Sequence, residues 1–392
     1  MEAKKEEKRL SPKCISVYVH FPYCLRKCPY CDFDSFATDP KAIPSEKYTE
    51  RILREFELRS ALISEYRLIS IFFGGGTPSL WDPKSLAIAI QKISSAFGVA
   101  PDEIEITLEA NPSSFDEERA HAFRKAGVNR FSIGVQALES TSLRFLGRSH
   151  SPERAIQAVC AARKTGSRVN ADIIFGLPGV AIRTYLEAID RLVEAGARHI
   201  SAYALTIEEG TLFGELHRQG RLPLASEDEV AEAYLAIEAH LEQLGFEHYE
   251  VSNYALPGER SIHNFHYWQC GAYLGLGAGA VGCLEEEGGW ARRWKNEAWP
   301  ERYLGNSGLT EAWSERLSPE MRIREAWMLG LRTSDGVDPA GIKERLGLDP
   351  TKGREEQIER AIARGELKWT GKAFVVPRSR WLVLDGIIRE LF

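Results

Sequence analysis

The sequence predicts an α/β fold in which parallel strands alternate with helices. Six short apolar segments recur along residues 16–207 with helical patterns between them. Repeated βα units favour parallel strands joined by right-handed crossovers, and so either an open doubly wound sheet or a barrel. Glycine or polar residues follow each apolar segment, so we expect the functional groups at the carboxyl ends of the strands.

Each predicted strand is rich in apolar or β-branched residues and stops at turn-forming or polar residues. The six predicted strands are residues 16–22, 68–73, 103–109, 130–136, 168–175 and 200–207. Helices are predicted between them wherever apolar residues recur at helical spacing. These helices are residues 45–66, with Ser45 as a cap, 117–126, 152–165 and 183–195.

The chain changes character after the sixth predicted strand. Residues 226–244 carry the strongest helical pattern, with one apolar stripe and a capping box formed by Ser226 and Glu229. Residues 246–255 and 263–283 are rich in aromatic residues and glycine and follow no regular period. We therefore expect this part to extend the main domain without predicting its elements.

The last part of the chain predicts a small second domain. A helix begins with Pro319 at its first position, and short helices, a hairpin at residues 367–376 and a closing helix follow. Helix, helix and hairpin resemble a winged-helix module, but the nearly balanced charge favours a lid or docking role over DNA binding. The predicted division is a solvated tail at 1–13, a main domain at 14–290 and a helical domain at 300–392.

Composition describes an ordinary globular protein of 392 residues, with 44% hydrophobic and 27% charged residues. The net charge of -6 argues against nucleic acid as a partner. The first thirteen residues are mostly charged and lack the apolar core of a signal peptide, and no apolar run approaches the length of a membrane span. Seven cysteines, three of them clustered, fit a reducing cytoplasm, which is the predicted location.

The clustered cysteines predict an iron–sulfur centre. Cys24, Cys28 and Cys31 form a C-x3-C-x2-C pattern directly after the first strand. Three thiolates can hold a 4Fe–4S cluster and leave one iron without a protein ligand. A zinc site would need a fourth ligand and usually a second close pair, and a disulfide framework suits a small secreted chain. The other four cysteines have no partner spacing; they are Cys14, Cys160, Cys270 and Cys283.

Four motifs resemble those of a known family: YVHFPYC at 18–24, GGGTPS at 74–79, GVQ at 134–136 and DIIFGLP at 172–178. Together they resemble the oxygen-independent coproporphyrinogen oxidases, a branch of the radical S-adenosylmethionine (SAM) superfamily, over nearly the whole chain. The resemblance implies an incomplete (β/α)6 barrel and a 4Fe–4S cluster whose open iron chelates SAM. It also implies SAM contacts at ten residues, each of which could instead be a strand-end hydrogen bond or a surface salt bridge. These are Tyr18, Tyr30, Gly75, Gly76, Thr77, Glu109, Gln136, Arg148, Asp172 and Ala204.

Two departures and one further motif narrow the resemblance. The oxidases carry another cysteine where this chain has Phe33, and they have a longer segment before the first strand. Residues 263–268 form an H-N-x-x-Y-W motif similar to that of the HemW-type haem chaperones. This likeness implies haem binding by His263, Asn264, Tyr267 and Trp268, with His263 as the first candidate iron ligand and His266 as the second. The alternative is that the two aromatic residues pack in the core and the histidine satisfies a buried backbone group.

The resemblance therefore implies a haem chaperone that delivers haem to haem-requiring respiratory proteins and needs an electron donor for its cluster. Two alternatives stay open. One is a coproporphyrinogen III oxidase that uses a SAM-derived radical to make protoporphyrinogen IX, and the other is a different radical enzyme that modifies haem. Whether the protein turns over a substrate is thus left undecided. Because no basic amphipathic helix stands out, we expect at most transient membrane contact.

Overall fold

The structure, a computed structural model, describes residues 13–392. The predicted tail lies outside the described residues except for Lys13, which begins the first strand. Within residues 13–392 the sixteen strands are β1 Lys13–Phe21, β2 Tyr23–Cys24, β3 Phe36–Ala37, β4 Tyr66–Gly75, β5 Glu105–Ala110, β6 Arg130–Gln136, β7 Arg168–Phe175, β8 His199–Ala204, β9 Glu247–Glu250, β10 Asn253–Ala255, β11 Ala272–Leu276, β12 Val281–Glu285, β13 Ala291–Asn296, β14 Glu311–Leu317, β15 Lys368–Trp369 and β16 Phe374–Val375.

Helices separate most of these strands. The fourteen α-helices of the described chain are α1 Ser45–Arg59, α2 Pro83–Ala96, α3 Glu117–Ala126, α4 Ser140–Phe145, α5 Pro152–Lys164, α6 Ile182–Glu194, α7 Leu212–Arg218, α8 Glu227–Gln243, α9 Ile262–Trp268, α10 Pro300–Gly305, α11 Pro319–Gly330, α12 Pro339–Leu346, α13 Glu355–Ala363 and α14 Leu384–Glu390. Among residues 13–392, none of these helices combines the length and the apolar character that a bilayer span requires.

Twelve of the strands form one sheet in the order β14-β13-β12-β11-β1-β4-β5-β6-β7-β8-β10-β9. The seven strands from β11 to β8 are parallel, whereas β9 and β10 at one end and β12 to β14 at the other are antiparallel. Side chains such as Val17, Ile71 and Leu108 are fully buried, because helices cover the sheet. The predicted barrel of six βα units is confirmed, and β11 adds a seventh parallel strand.

The elements form largely where the pattern predicts them. Ser226 and Glu229 make the expected capping box: the serine hydroxyl accepts from the Glu229 N–H at 3.2 Å, and the glutamate accepts from the Ser226 N–H at 2.7 Å. The first helix is shorter than predicted, because a 3-10 turn at Ser60–Leu62 follows Arg59 and β4 begins soon after. Ser45 is its first helical residue and not its cap.

Helix α2 and strand β11 are two of the elements that were not predicted. Helix α2 begins after Asp82, whose carboxylate accepts from the Ser85 N–H at 2.8 Å, and Pro83 occupies its first position. Strand β11 was hidden by glycines: a Cβ atom at Gly275 would overlap the carbonyl group of Val281, so the tight approach of β12 excludes the residues that make a strand pattern recognisable.

A second hydrophobic core lies within residues 323–391 and includes Trp327, Trp381 and Ile388. It is built by α11 to α14 together with the β15–β16 hairpin, in the helix, helix and hairpin order that the sequence predicts. This unit contacts the main sheet through ion pairs and backbone bonds, such as the 3.0 Å bond from the Val251 N–H to the Arg332 carbonyl group.

Candidate cofactor sites

Two cavities lie side by side at the carboxyl ends of the parallel strands. The first, the cluster cavity, has a volume of about 370 Å³ and is lined by the three cysteines of the C-x3-C-x2-C motif. The second, the large cavity, has a volume of about 640 Å³. The two cavities adjoin, and six residues line both of them and form the shared wall. Its residues are Asp32, Phe33, Phe72, Gly75, Glu109 and Asn264.

The cysteine loop follows β1 and is held by a short parallel pairing of β2 with β3. The hydroxyl group of Thr77 donates to Cys24 Sγ at 3.3 Å, and Nη1 of Arg148 donates to Cys28 Sγ at 3.5 Å. Burial raises the pKa of the Cys24 and Cys31 thiols, which is the environment of sulfur atoms turned away from bulk water. Two of the three sulfurs thus already receive hydrogen bonds of the kind that stabilise thiolate ligands.

The donor set fits a 4Fe–4S cluster better than a single metal ion. Within the described chain, no set of three or more His, Cys, Asp or Glu side chains converges on one point as ligands of a single ion would. A cubane needs no such convergence, because each cysteine binds a different iron atom. All three thiols nevertheless line one cavity, as ligands of a cluster must.

The glycine segment after β4 packs directly on the cysteine loop. The Gly76 N–H donates to the Phe21 carbonyl group at 2.7 Å, and the Thr77 N–H donates to the Tyr23 carbonyl group at 2.9 Å. A Cβ atom at Gly76 would lie 2.7 Å from that Tyr23 oxygen. Gly75 has a φ of 107°, a conformation that residues with side chains rarely adopt. Glycine is therefore required here for close backbone approach as well as for ligand access.

Acidic side chains lie near the carboxyl end of β5 and within β7. Glu109 accepts from the Gly75 N–H at 3.1 Å, and burial, with a further contribution from Asp172, raises the pKa of Glu109 to about 8. Asp172 accepts from the Ser132 hydroxyl at 3.1 Å and from the Asn170 amide at 2.7 Å. Burial also raises the pKa of Asp172. This side of the cavity therefore offers both hydrogen-bond donors and acceptors to the hydroxyl groups of a ribose.

Gln136, at the end of β6, adopts an unusual backbone conformation. Its φ is 66°, in the left-handed region, and the Ala137 N–H donates to the Val135 carbonyl group at 2.9 Å across a tight turn. Nη2 of Arg148 donates to the neighbouring Gly134 carbonyl group at 2.9 Å. Such conformations in residues with side chains concentrate at functional sites, where surrounding contacts maintain them.

The structure brings the residues predicted to contact SAM together. Nine of the ten line the cluster cavity: Tyr30, Gly75, Gly76, Thr77, Glu109, Gln136, Arg148, Asp172 and Ala204. Tyr18 lines the large cavity instead, and its hydroxyl group lies 3.0 Å from Nδ1 of His20.

Three polar residues of the cluster cavity were missed by the sequence analysis. Asn170 Nδ2 lies 2.7 Å from the Ser132 hydroxyl and 2.9 Å from the Ser201 hydroxyl. In the parallel register Ser132 pairs with Asn170, and Asp172 pairs with Ser201. The signal was present, because polar residues at alternate positions of neighbouring strands point to one face.

The large cavity has an aromatic wall. Phe72 and His263 have ring centroids 4.9 Å apart, and Tyr267 and Tyr273 have ring centroids 4.7 Å apart in an edge-to-face arrangement. Tyr18 stacks on Phe72 at 6.1 Å. The aromatic wall combines residues of β1, β4, α9 and β11 and lines one side of the cavity with ring surface.

The rest of the large cavity carries charged and sulfur-containing side chains. Cys270 and Cys283 both line it, and burial raises the pKa of the Cys270 thiol to about 12. Among the non-glycine residues described, Gln136 and Cys270 are the two with a positive φ. Three cations reach the cavity, each already paired with a carboxylate. The pairs are Arg293 with Glu325 at 2.8 Å, Lys295 with Asp34 at 2.7 Å and Arg322 with Glu285 at 3.0 Å.

The H-N-x-x-Y-W motif forms α9, which Ser261 caps by accepting from the Asn264 N–H at 3.3 Å. His263, Asn264 and Tyr267 line the large cavity, whereas Trp268 is half-buried and lines neither cavity. The candidate ligand His266 also lies outside both linings, and its Nε2 donates to the Ala272 carbonyl group at 3.0 Å.

His263 is only 1% exposed, and both of its ring nitrogens have partners. Nδ1 lies 2.9 Å from the Ser70 hydroxyl and Nε2 lies 2.9 Å from the Tyr267 hydroxyl. Burial lowers the pKa of His263 well below its ordinary value, so the imidazole is neutral. The alternative from sequence, a histidine that satisfies a buried group, thus describes its contacts, although the partners are side-chain hydroxyls and not the backbone.

Glu105, at the start of β5, supports this helix and was not singled out from sequence. It is buried and accepts from the backbone N–H groups of Ile262 at 3.0 Å and His263 at 2.9 Å. Arg168 donates to the same carboxylate at 2.9 Å and Arg130 lies 4.0 Å away, so its charge is compensated. Sequence offers no signal for this contact, because it joins residues far apart in the chain.

Comparison with known proteins places these features among relatives. Residues 18–192 match the radical SAM superfamily, and residues 317–383 match the HemN C-terminal domain. The solved structure of coproporphyrinogen III oxidase (HemN) from Escherichia coli superposes with a TM-score of 0.80 at 19% identity, covering 97% of this chain and 91% of that one. At this identity the match shows the fold alone.

Two curated relatives are more similar in sequence. The heme chaperone HemW of Mycobacterium tuberculosis is 34% identical over 380 residues, which cover 96% of this chain and 94% of the relative. The mitochondrial radical S-adenosyl methionine domain-containing protein 1 of Bos taurus is 39% identical over 274 residues, or 70% of this chain. The match spans 61% of the length of that mitochondrial relative.

Proposed function

Since this chain belongs to the HemW family of the radical SAM superfamily, we propose that it is a haem chaperone that delivers haem to haem-requiring respiratory proteins. The observation that carries the proposal is the pair of cavities with one shared wall, one lined by the cluster cysteines and the other by an aromatic surface. The proposal places this transfer in the cytoplasm, with an electron donor as a partner and at most transient membrane contact.

In this proposal Cys24, Cys28 and Cys31 hold a 4Fe–4S cluster, which when bound supplies the electron for reductive cleavage of SAM. The glycine segment offers SAM a backbone surface without side chains that it can approach closely. The N–H groups of Gly75 and Gly76 are already bonded within the protein and hold this segment in place. The other predicted contacts orient SAM and exclude water; they are Tyr18, Tyr30, Thr77, Glu109, Gln136, Arg148, Asp172 and Ala204. Tyr18 acts from the far side of the wall, through its packing against the backbone of Gly74.

Haem would occupy the large cavity. Its volume of about 640 Å³ lies within the range of ligand cavities, and the aromatic wall suits a flat macrocycle. His263, Asn264 and Tyr267 contribute to the lining, whereas Trp268, the last residue of α9, lies outside it. The charged pairs of Arg293, Lys295 and Arg322 stand where the carboxylates of haem could exchange with protein carboxylates.

A coproporphyrinogen oxidase is the second candidate. The shared wall favours this candidate. Gly75 and Glu109 line both cavities, so a substrate in the large cavity would lie close to bound SAM. Phe33 argues against it, since the oxidases carry a cysteine at that position and this chain has an aromatic ring there.

The test uses anaerobically reconstituted full-length protein with haem and SAM. Absorbance and electron paramagnetic resonance report both cofactors, and chromatography reports decarboxylation of coproporphyrinogen III. Stable haem uptake without decarboxylation supports the chaperone, whereas decarboxylation without lasting haem binding makes the protein an oxidase. Haem transfer to an apo-cytochrome then tests delivery.

A variant locates the haem. Val281→Phe adds an aromatic ring to the lining of the large cavity, at a residue that does not line the cluster cavity. We expect loss of haem uptake with unchanged cluster iron, which serves as the internal control for folding. Unchanged haem uptake would place haem outside this cavity.

A further inference from the structure

The imidazoles that line the large cavity are side chains that could bind the iron of haem, so their hydrogen bonds decide whether a nitrogen is free to do so. Of the residues that line it, His20 and His263 carry imidazoles. His20 Nε2 donates to the Asp34 carbonyl group at 2.8 Å, which leaves Nδ1 as the acceptor for the Tyr18 hydroxyl at 3.0 Å. His263 is equally saturated, through Ser70 and Tyr267. A neutral imidazole has one donor and one acceptor nitrogen, and here both are used.

The bonds of His263 belong to a longer chain. The hydroxyl groups of Ser16 and Ser70 lie 2.8 Å apart, Ser70 lies 2.9 Å from His263 Nδ1, and His263 Nε2 lies 2.9 Å from the Tyr267 hydroxyl. Ser16, Ser70 and His263 are almost fully buried. An iron bond to Nδ1 would leave the Ser70 hydroxyl with Ser16 alone, and an iron bond to Nε2 would take the imidazole away from the Tyr267 hydroxyl.

Backbone and side-chain bonds hold the His263 imidazole in its place in the cavity lining. Glu105 accepts from the N–H groups of Ile262 and His263 and lies 3.4 Å from the Ser261 hydroxyl. The first turn of α9 is thus tied to β5, and the His263 side chain is tied to β4 through Ser70. Tyr267, one turn further along the helix, receives its position from the imidazole.

We infer that His263 is a positioning residue: it holds Tyr267 in the wall of the large cavity, anchored to Ser70 beneath it, and it supplies no ligand to iron. The inference deepens the proposed function. The part of it that concerns haem rests on that function, whereas the bond between His263 and Tyr267 does not. The H-N-x-x-Y-W motif thus shapes the surface against which the macrocycle packs. The hydrogen bond between His263 and Tyr267 can be tested in protein without haem.

The experiment titrates ferric haem into anaerobically reconstituted full-length protein and four variants. His263→Gln keeps a donor and an acceptor, His263→Leu removes both, Tyr267→Phe removes the hydroxyl partner, and His121→Gln is the control at an exposed histidine. We expect His263→Leu and Tyr267→Phe each to raise the dissociation constant for haem about tenfold, and the double variant to raise it no further. His263→Gln should stay within about threefold of wild type, like the control.

Paramagnetic resonance of the bound ferric haem separates positioning from ligation. If the inference holds, the axial-ligand signature of the wild type persists in His263→Gln and His263→Leu. If His263 binds iron, both variants lose an imidazole signature that the wild type shows, and the inference is overturned.

Urea unfolding of the apo-proteins keeps the test independent of haem. The inference expects the losses in unfolding free energy from His263→Leu and Tyr267→Phe to be non-additive, because both remove the bond between His263 and Tyr267. The bond to Ser70 is lost in His263→Leu alone. Additive losses would overturn it. If wild-type protein takes up no haem but the unfolding data show this coupling, then the proposed function fails and the positioning role stands.

Discussion

The cluster cavity and the large cavity share a wall but are built from different parts of the chain. Glu109, Gln136 and Ala204 of the cluster cavity each lie at or next to the carboxyl end of a parallel strand. The large cavity combines β1 and β4 with the antiparallel strands β12 and β13, the short helix α9, and side chains of α11 such as Glu325. The first follows from a repeating unit, and the second from contacts between distant segments.

Because they are built from different segments, the two cavities depend on different parts of the chain. The cluster cavity is tied to the cysteine loop by backbone bonds, such as that of the Gly76 N–H, and needs nothing from the C-terminal unit. The large cavity is completed by α11, through Arg322 and Glu325. We therefore expect cluster loading and haem binding to respond to different substitutions, and the following predictions test that separation.

The largest effect is expected from the cysteines. Cys24→Ser, Cys28→Ser or Cys31→Ser should each abolish the cluster, because three thiolates are the fewest that hold it with one open iron. The haem dissociation constant should stay within about threefold, since no cysteine of the motif lines the large cavity. Iron and sulfide analysis with a parallel haem titration measures both. Cys160→Ser, at a half-buried cysteine of α5, is the control. Loss of haem binding together with the cluster would show that the cavities are not separable.

The next effect concerns the glycine segment. Gly75→Ala places a methyl group against the imidazole of His20 at a φ of 107°, so we expect SAM affinity to fall by more than tenfold and the unfolding free energy by about 2–4 kcal/mol. Gly98→Ala is the matched control, because Gly98 has a φ of 68° and open space around it. It should cost about 1 kcal/mol and leave SAM binding unchanged. Equal losses in the two variants would mean that conformation, and not crowding by His20, dominates.

Most residues of the cluster cavity could be predicted from the sequence, whereas most residues of the large cavity could not. The difference is whether a residue's place in the site follows from a local sequence pattern. Glu109 and Gln136 could be predicted because a polar residue at the end of a buried strand is a local signal. Tyr273, Cys283 and Arg293 are neighbours only through the pairing of β11 with β12 and of β12 with β13, which no local pattern encodes.

The H-N-x-x-Y-W motif shows a second limit of sequence reasoning. The resemblance identifies His263 as a residue of interest and suggests haem, but its role depends on partners far away in the chain. Ser70 in β4 and Glu105 in β5 take up its ring nitrogen and its backbone N–H. A motif states which side chains occur together, whereas the bonds that occupy their polar atoms are set by the tertiary fold.

Phe33 tests the shared wall. Its side chain is 54% exposed, although its carbonyl group is fixed by Lys27 Nζ at 3.0 Å and the next carbonyl group, that of Asp34, by His20. An aromatic ring held in water between two ligand cavities gains from being covered by a ligand. Phe33→Ala should therefore raise the haem dissociation constant about tenfold and that of SAM about twofold. Trp369→Ala, at an exposed tryptophan of the β15–β16 hairpin, should change neither. If Phe33→Ala weakened the binding of SAM more than that of haem, the ring would belong to the cluster cavity.

The last effect concerns stability alone and is the pH dependence of Glu109, whose pKa of about 8 compares with an ordinary value of 4.5. Between these values the folded protein keeps a proton that the unfolded chain has released, so its unfolding free energy falls as pH rises from about 5 to about 8. Glu109→Gln removes this contribution. The advantage of the variant over the wild type should grow by up to about 3 kcal/mol across that range, because each pH unit between the two pKa values changes the difference by about 1.4 kcal/mol. Urea unfolding of the apo-proteins at several pH values measures it. A constant difference would mean that Glu109 is ionised throughout, and so that the wall is already open to water on the SAM side.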